Sequence, residues 1–153
     1  MADLTFRMDN DSFSVRAACI ILHDGKLLAA TNISDKAYYT VGGRTHLNET
    51  TSDAALREAF EETGVPFEID RLLYVQEWFS AYDGNRHHHI TFYYLMKGDA
   101  SFIPDNSPTD QKGFETLHWL PLNHLNDYNL VPSFLKSALL SLPASPVHIV
   151  SED

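Results

Sequence analysis

The sequence predicts an α/β layered sandwich in which a mixed β-sheet packs with two helices inside one domain. Three observations carry this expectation. Runs rich in branched and aromatic residues, the composition of strands, recur along the chain between turn signals. Two stretches, residues 50–63 and 131–142, instead place apolar residues at helical spacing. With 153 residues the chain is long enough to bury one real core, and strands interleaved with helices over that length favour layers around a shared sheet.

The elements follow in order. "FSVRAACIILHDGKLLAATN", residues 13–32, reads as two strands joined at Asp24-Gly25, a dipeptide favoured in tight hairpins. "AYYTVGG", residues 37–43, adds a short strand that ends in a glycine pair. Residues 50–63 form the first helix. "EIDRLLYVQEWFS" and "HHHITFYYLMKG" are two further strands, and the loop "AYDGNR" between them marks a long hairpin. "FETLHWLPL", residues 114–122, supplies another strand. "VPSFLKSALLSL" then begins with Pro132 near a helix N-terminus and carries Phe134, Leu135, Ala138 and Leu139 at helical spacing.

Composition narrows the function. The formal net charge is −10, with 21 acidic against 11 basic residues. That balance argues against a nucleic-acid partner, whose backbone calls for a basic footprint. A small phosphorylated ligand remains compatible if a cation mediates. Cys19 is the only cysteine and sits in the apolar run "AACIIL", so it reads as a buried residue, with no disulfide framework and a reducing compartment. No apolar stretch reaches transmembrane length and the acidic N-terminus is unlike a signal peptide, so the expectation is a cytoplasmic protein that does not bind membranes.

The first helix poses the central question. Thr50 and Asp53 fit a capping-box pattern, and Gly64 suits the left-handed position beyond a helix end. Turning about 100° per residue, Ala55, Leu56, Ala59, Phe60 and Thr63 fall on one arc. Glu58, Glu61 and Glu62 fall on the opposite one, with Arg57 at its edge. Acids gathered near a helix C-terminus repel one another and oppose the helix dipole. A divalent cation reverses that balance, and Mg2+ is the natural candidate because a few carboxylates, waters and phosphate oxygens satisfy it.

The surrounding pattern is longer than the acids alone. From Gly43 to Val65 the chain reads "GRTHLNETTSDAALREAFEETGV". Gly43, Glu49, Arg57, Glu58, Glu61, Glu62 and Gly64 stand at the spacing of the Nudix box, with Ala59 and Val65 at its aliphatic positions, so this stretch resembles that motif. The order of strands and helices around it is similar to a Nudix domain, so the resemblance covers most of residues 1–153 as one domain. It departs at Val41, where relatives often have proline.

The resemblance implies an α/β/α sandwich with a mixed sheet. It also implies a hydrolase that cleaves a nucleoside diphosphate linked to another moiety, using Mg2+ or Mn2+ (MutT-like nucleotide pyrophosphatase chemistry). Glu58, Glu61 and Glu62 would be the metal-binding or base-forming carboxylates, and the carbonyl of Gly42 a further oxygen ligand. Arg57 would hold a glutamate in place, with Glu49 as partner; the alternative is an ordinary contact with Glu61 one turn on. Clustered carboxylates also make chemical sense, because a pyrophosphate resists attack until its charge is neutralised and a water oriented. Dimerisation is common among Nudix relatives.

Outside the box, Arg44 is a candidate phosphate contact, with a solvated surface arginine as its alternative. Tyr39, with Tyr38, Trp78 and Phe79, is a candidate to stack on a base, against the competing reading of core or hairpin packing. Glu77 and Glu115 are candidates for an extra carboxylate. In "RHHHITFYY", His87 and His89 share a strand face that His88 does not. Two histidines are too few for a closed zinc site, so a pocket-edge or surface role is expected, with His88 as a candidate substrate contact. Three rivals stand beside the hydrolase. One is a module that binds nucleotides without cleaving them, one an isoprenyl diphosphate isomerase, which would need a suitably placed cysteine, and one a structural protein with an acidic helix.

Overall fold

The computed structural model describes residues 1–32, 34, 36–109 and 115–153. Within them the strands are β1 (Thr5–Met8), β2 (Asp11–Ile20), β3 (Leu22–His23), β4 (Lys26–Asn32), β5 (Tyr38–Arg44), β6 (Glu68–Tyr82), β7 (Asn85–Lys97), β8 (Ser107–Pro108), β9 (Glu115–Pro121) and β10 (Val147–Glu152). The helices are α1 (Thr51–Thr63) and the single turn α2 (Leu135–Ala138), with a 3-10 segment at Leu122–Asp127.

The strands form one sheet in the order β10-β6-β7-β2-β5-β4-β9-β8, with β1 added to β2 and β3 to β4. It is mixed, as expected. β2 runs parallel to β7 and β10 parallel to β6, while the other pairs are antiparallel. Two hairpins turn where the sequence placed them. Asp24 and Gly25 both take positive φ, 54° and 74°, the geometry of a two-residue turn that matches strand twist. Asp83 and Gly84 do the same, so the β6–β7 hairpin is tighter than the expected six-residue loop and its strands run to Tyr82 and from Asn85.

Alternation along β2 builds both faces of the core. Ala17 and Cys19, with Ile21 just past the strand, join a cluster under α1 with Val41, Ala54, Ala55 and Ala59. Ala18 and Ile20 point the other way, into a cluster with Leu27, Tyr74, Tyr93, Leu135 and Leu139. Cys19 is fully buried with its Sγ 3.2 Å from the Ala55 carbonyl, and burial pushes its thiol pKa well up. It is a packing residue, as the sequence suggested.

Several expectations change. The second helix shrinks to one turn, although Leu135 and Leu139 are buried as their spacing implied. Strands β1, β8 and β10 lacked a clear sequence signal because each is short or lies at a sheet edge, where one face stays exposed. The expected start of β9 at Phe114 lies outside the described residues. Among the described residues no helix is long and apolar enough to cross a membrane.

Gln76 locks the edge of the sheet to its centre. It is fully buried, and its amide donates to Ser151 of β10 while its carbonyl accepts from the Tyr93 hydroxyl of β7, both at 2.7 Å. Tyr93→Phe strands that carbonyl without a donor, so it should cost about 1–3 kcal/mol in urea denaturation. Tyr82→Phe, at an exposed side chain, should leave stability unchanged.

Candidate active site

The site is built where α1 crosses β5. Helix α1 starts at Thr50, whose side-chain oxygen accepts from the Asp53 amide at 3.1 Å, and stops at Gly64, left-handed at φ 74°. These are the caps the sequence marked. Its buried face keeps Ala55, Ala59 and, in part, Leu56 of the predicted arc, but departs from it at two residues. Phe60 is 55% exposed, whereas Glu62 is 7% exposed and lies inward with Ala55 and Ala59. Three small alanines let the helix sit close to the sheet, and that closeness draws Glu62 in. The carboxylate is satisfied there because Oε2 accepts from the backbone N–H of Gly42 at 2.9 Å.

The glycine pair makes this approach feasible. Gly42 has φ 151°, and a Cβ there would collide with the Ala17 carbonyl oxygen of the neighbouring strand. A Cβ on Gly43 would meet the Glu58 carboxylate. Absent side chains at both positions therefore bring the backbone of β5 against two box carboxylates at once.

Arg57 organises the remaining acids. Its Nε donates to Glu49 Oε2 at 2.8 Å and its Nη2 to Glu49 Oε1 at 2.9 Å, a bidentate pair. Nη1 donates to Glu58 at 2.9 Å and reaches Glu61 at 3.3 Å, and Nη2 also donates to the Arg44 carbonyl at 3.0 Å. Both alternatives from the sequence are thus realised, since Arg57 holds Glu49 and contacts Glu61. The guanidinium beside Glu49 lowers that carboxyl to about 2, and the His46 amide at 2.9 Å assists. Arg57 is itself held further towards its charged form by Glu49 and Glu58.

Beside Gly42, Gly43 and Glu62 opens a cleft of about 270 Å3, floored by Arg16 and Thr91 and walled by Tyr39, Trp78, Tyr93 and Glu115. Of the residues singled out from sequence, Tyr39, Gly42, Gly43, Glu62, Trp78 and Glu115 line it. Arg44 lies outside that lining, half-exposed, with Asp3 at 3.6 Å. Glu77 is on the other side of β6 and bonds His148 of β10 at 2.6 Å. His88 is also outside, stacked on Phe79 with ring centroids 4.4 Å apart and edge-on to Phe13. Tyr38 packs against Tyr128 and His118 rather than into the cleft. His87 and His89 share the other face of β7, stacked at 6.1 Å and bonded through Nδ1 to Ser12 and Ser14. Burial, with the nearby Arg16 charge, lowers His89 to about 4.

Arg16 was missed. The signal was present: Ser12, Ser14 and Arg16 alternate on one face of β2, so a charged residue continues a polar row onto the inner part of a strand.

The donor set suits a hard divalent cation in part. Glu58, Glu61 and Glu62 offer oxygen only, yet among the described residues no three acidic, histidine or cysteine side chains are gathered to hold one ion by themselves. Mg2+ fits such a site because it retains waters and takes phosphate oxygens to complete its shell.

Two outcomes follow from this geometry. Gly42→Ala should destabilise the protein by more than about 2 kcal/mol, against about 1 kcal/mol for Gly25→Ala, whose Cβ meets open space, both read by denaturant unfolding. Glu49 has a folded pKa below its unfolded one, so its stabilisation is complete above the unfolded value and fades as pH falls towards about 2. Glu49→Gln should therefore cost about 2–3 kcal/mol near neutral pH, with the gap in melting temperature to wild type closing as the solution is acidified.

The family profile described as NUDIX domain matches residues 13–138. A MutT-like protein of Streptomyces ambofaciens is 36% identical over 56 residues, covering 37% of this chain and 36% of that one, so the chain spans little more than a third of that relative's length. Among solved structures, a MutT protein from Bacillus halodurans has a TM-score of 0.65 at 14% identity, covering 91% of this chain and 89% of that one. An ADP-ribose pyrophosphatase from Streptococcus suis has a TM-score of 0.58 at 15% identity, covering 90% and 98%. At those identities the two structures speak to the fold. The profile match takes in most of β2, all of β5 and α1 and the cleft between them, and on that match the chain belongs to the Nudix family.

Proposed function

We propose that the chain hydrolyses a phosphoanhydride bond in a nucleoside diphosphate linked to a second moiety, assisted by Mg2+ or Mn2+. The observation that carries this reading is the inward Glu62 on the Gly42 amide, beside a cleft and next to the Arg57-held Glu58 and Glu61. The structural neighbour named an ADP-ribose pyrophosphatase acts, by that name, on a compound of this class.

Glu58, Glu61, Glu62 and the Gly42 carbonyl are the groups that would hold the cation. When bound, it would neutralise phosphate charge and favour ionisation of water. The protein's own part is positional and basic. Arg57 holds Glu58 and Glu61 in fixed directions and the Gly42 amide holds Glu62, so little reorganisation is needed during reaction. A carboxylate of this group takes the proton as the water oxygen bonds to phosphorus. The anhydride P–O bond breaks, and its electron pair leaves on the departing phosphate oxygen. Tyr39 lines the cleft and is proposed as a substrate contact. Arg44, Glu77 and His88 would take that role only towards a substrate that extends beyond the cleft. The whole of residues 1–153 is proposed to act as one catalytic domain in the cytoplasm, on a small molecule rather than nucleic acid or membrane.

The test is product release from a panel of nucleoside diphosphate derivatives with Mg2+ or Mn2+, comparing wild type with Glu61→Gln and Glu62→Gln. At least one substrate should turn over, with each variant reduced at least about 100-fold. Mg2+ alone should also raise the melting temperature, and Glu62→Gln should remove most of that gain. Joint binding of Mg2+ and nucleotide without turnover would favour a sensing module instead.

A further inference from the structure

Arg16 is a half-buried cation on the floor of the cleft. It lies on β2 directly opposite Arg44 of β5, and like charges facing across strands destabilise a sheet. Arg44 has Asp3 as a partner. Arg16 makes no hydrogen bond or ion pair with any described residue, although the chain carries an excess of ten negative charges. Glu58 and Glu62 are near enough to favour its charge, but burial and Arg44 outweigh them.

The floor around it is also incompletely satisfied. Thr91, the direct cross-strand neighbour of Arg16 on β7, has a buried hydroxyl with no partner among the described residues, and the Trp78 indole N–H is likewise buried and unpartnered. Native interiors rarely leave such groups unmade, so each calls for an explanation. All three residues line the same cleft, which has an acidic wall in Glu62 and Glu115 and a basic floor in Arg16. At about 270 Å3 it falls short of the roughly 300–1,000 Å3 of pockets that enclose a whole drug-sized ligand. Its size and its two signs of charge suit a compact, multiply charged anion.

We propose that Arg16 is the anion-binding residue of the cleft and that it selects a diphosphate over a single phosphate. One phosphoryl group would sit on the guanidinium, whose planar fork matches phosphate oxygens, while the other faces the box carboxylates through a cation. This rests on the reading of the cleft as a pyrophosphatase site, and it adds a recognition residue outside the box. It also accounts for the Arg16–Arg44 pairing, because an arrangement that is unfavourable alone becomes favourable when an anion binds.

The experiment is calorimetric titration of the full chain, in Mg2+, with imidodiphosphate and separately with orthophosphate. Imidodiphosphate resists hydrolysis at its bridging nitrogen, so binding is read whether or not the chain turns anything over. Wild type should bind imidodiphosphate at least about tenfold more tightly than orthophosphate. Arg16→Met should weaken imidodiphosphate by about 30-fold or more, and Arg16→Lys by about 3–10-fold, since it keeps the charge but not the fork. In ligand-free buffer Arg16→Met should match or exceed the wild-type melting temperature. A merely structural arginine would give the reverse, a lower melting temperature with unchanged affinity.

Absence of imidodiphosphate binding by wild type would overturn the proposal, as would wild-type affinity in either folded variant. Should Arg16→Met fail to fold, the structural role is favoured unless Arg16→Lys folds and shows the intermediate affinity. Binding that depends on Arg16 in a chain that cleaves none of the panel would uphold this inference and defeat the hydrolase reading. Turnover with KM unaltered by Arg16→Met would do the opposite.

Discussion

A helix carrying carboxylates can deliver them to a sheet only if the strand beneath has no side chains in the way. Gly42 and Gly43 meet that condition for α1 and β5, and much of the site's geometry depends on it. With Gly42 bare, its N–H is exposed to Glu62 and its Cα passes the Ala17 carbonyl of β2. With Gly43 bare, Glu58 occupies the volume a side chain would take. The alanines at 54, 55 and 59 complete the approach from the helix side. Small residues on both partners thus convert a packing contact into a polar one.

The crowded acids find a first answer inside the protein. Arg57 spreads one guanidinium over Glu49, Glu58 and Glu61, which offsets part of the repulsion between like charges and fixes three side chains with a single planar group. A cation would then act on carboxylates already aimed rather than on a flexible acidic surface. Arg16 receives no such treatment among the described residues: Glu58 and Glu62 favour its charge from nearby, but it forms no ion pair or hydrogen bond with a described residue. Glu62 and Glu115 on one side and Arg16 on the other give the cleft its two signs of charge.

Legibility differed between local and long-range features. Thr50 and Gly64 bounded α1 because capping depends on a few adjacent residues. Asp24-Gly25 and Asp83-Gly84 marked turns for the same reason. The inward arc of α1 was legible at Ala55 and Ala59 but not at its edges: counting Phe60 as core and Glu62 as surface follows hydrophobicity, whereas the sheet offered Glu62 an amide and left Phe60 in solvent. The one-turn α2 shows the same limit, since its leucines are buried without a continuous helix around them.

By itself the sequence determined the box, its helix, the hairpins and the mixed α/β class, because spacing, caps and turn chemistry act over a few residues. Only the tertiary structure decided which other residues meet the box. It set Arg16, Thr91 and Trp78 beside Glu62 through the parallel pairing of β2 with β7 and the long β6–β7 hairpin. The same registers turned Glu77 and His88 away from the cleft. Side chains alternate between faces at every residue of a strand, so a register set by contacts far apart in the chain determines whether a residue enters the site or leaves it.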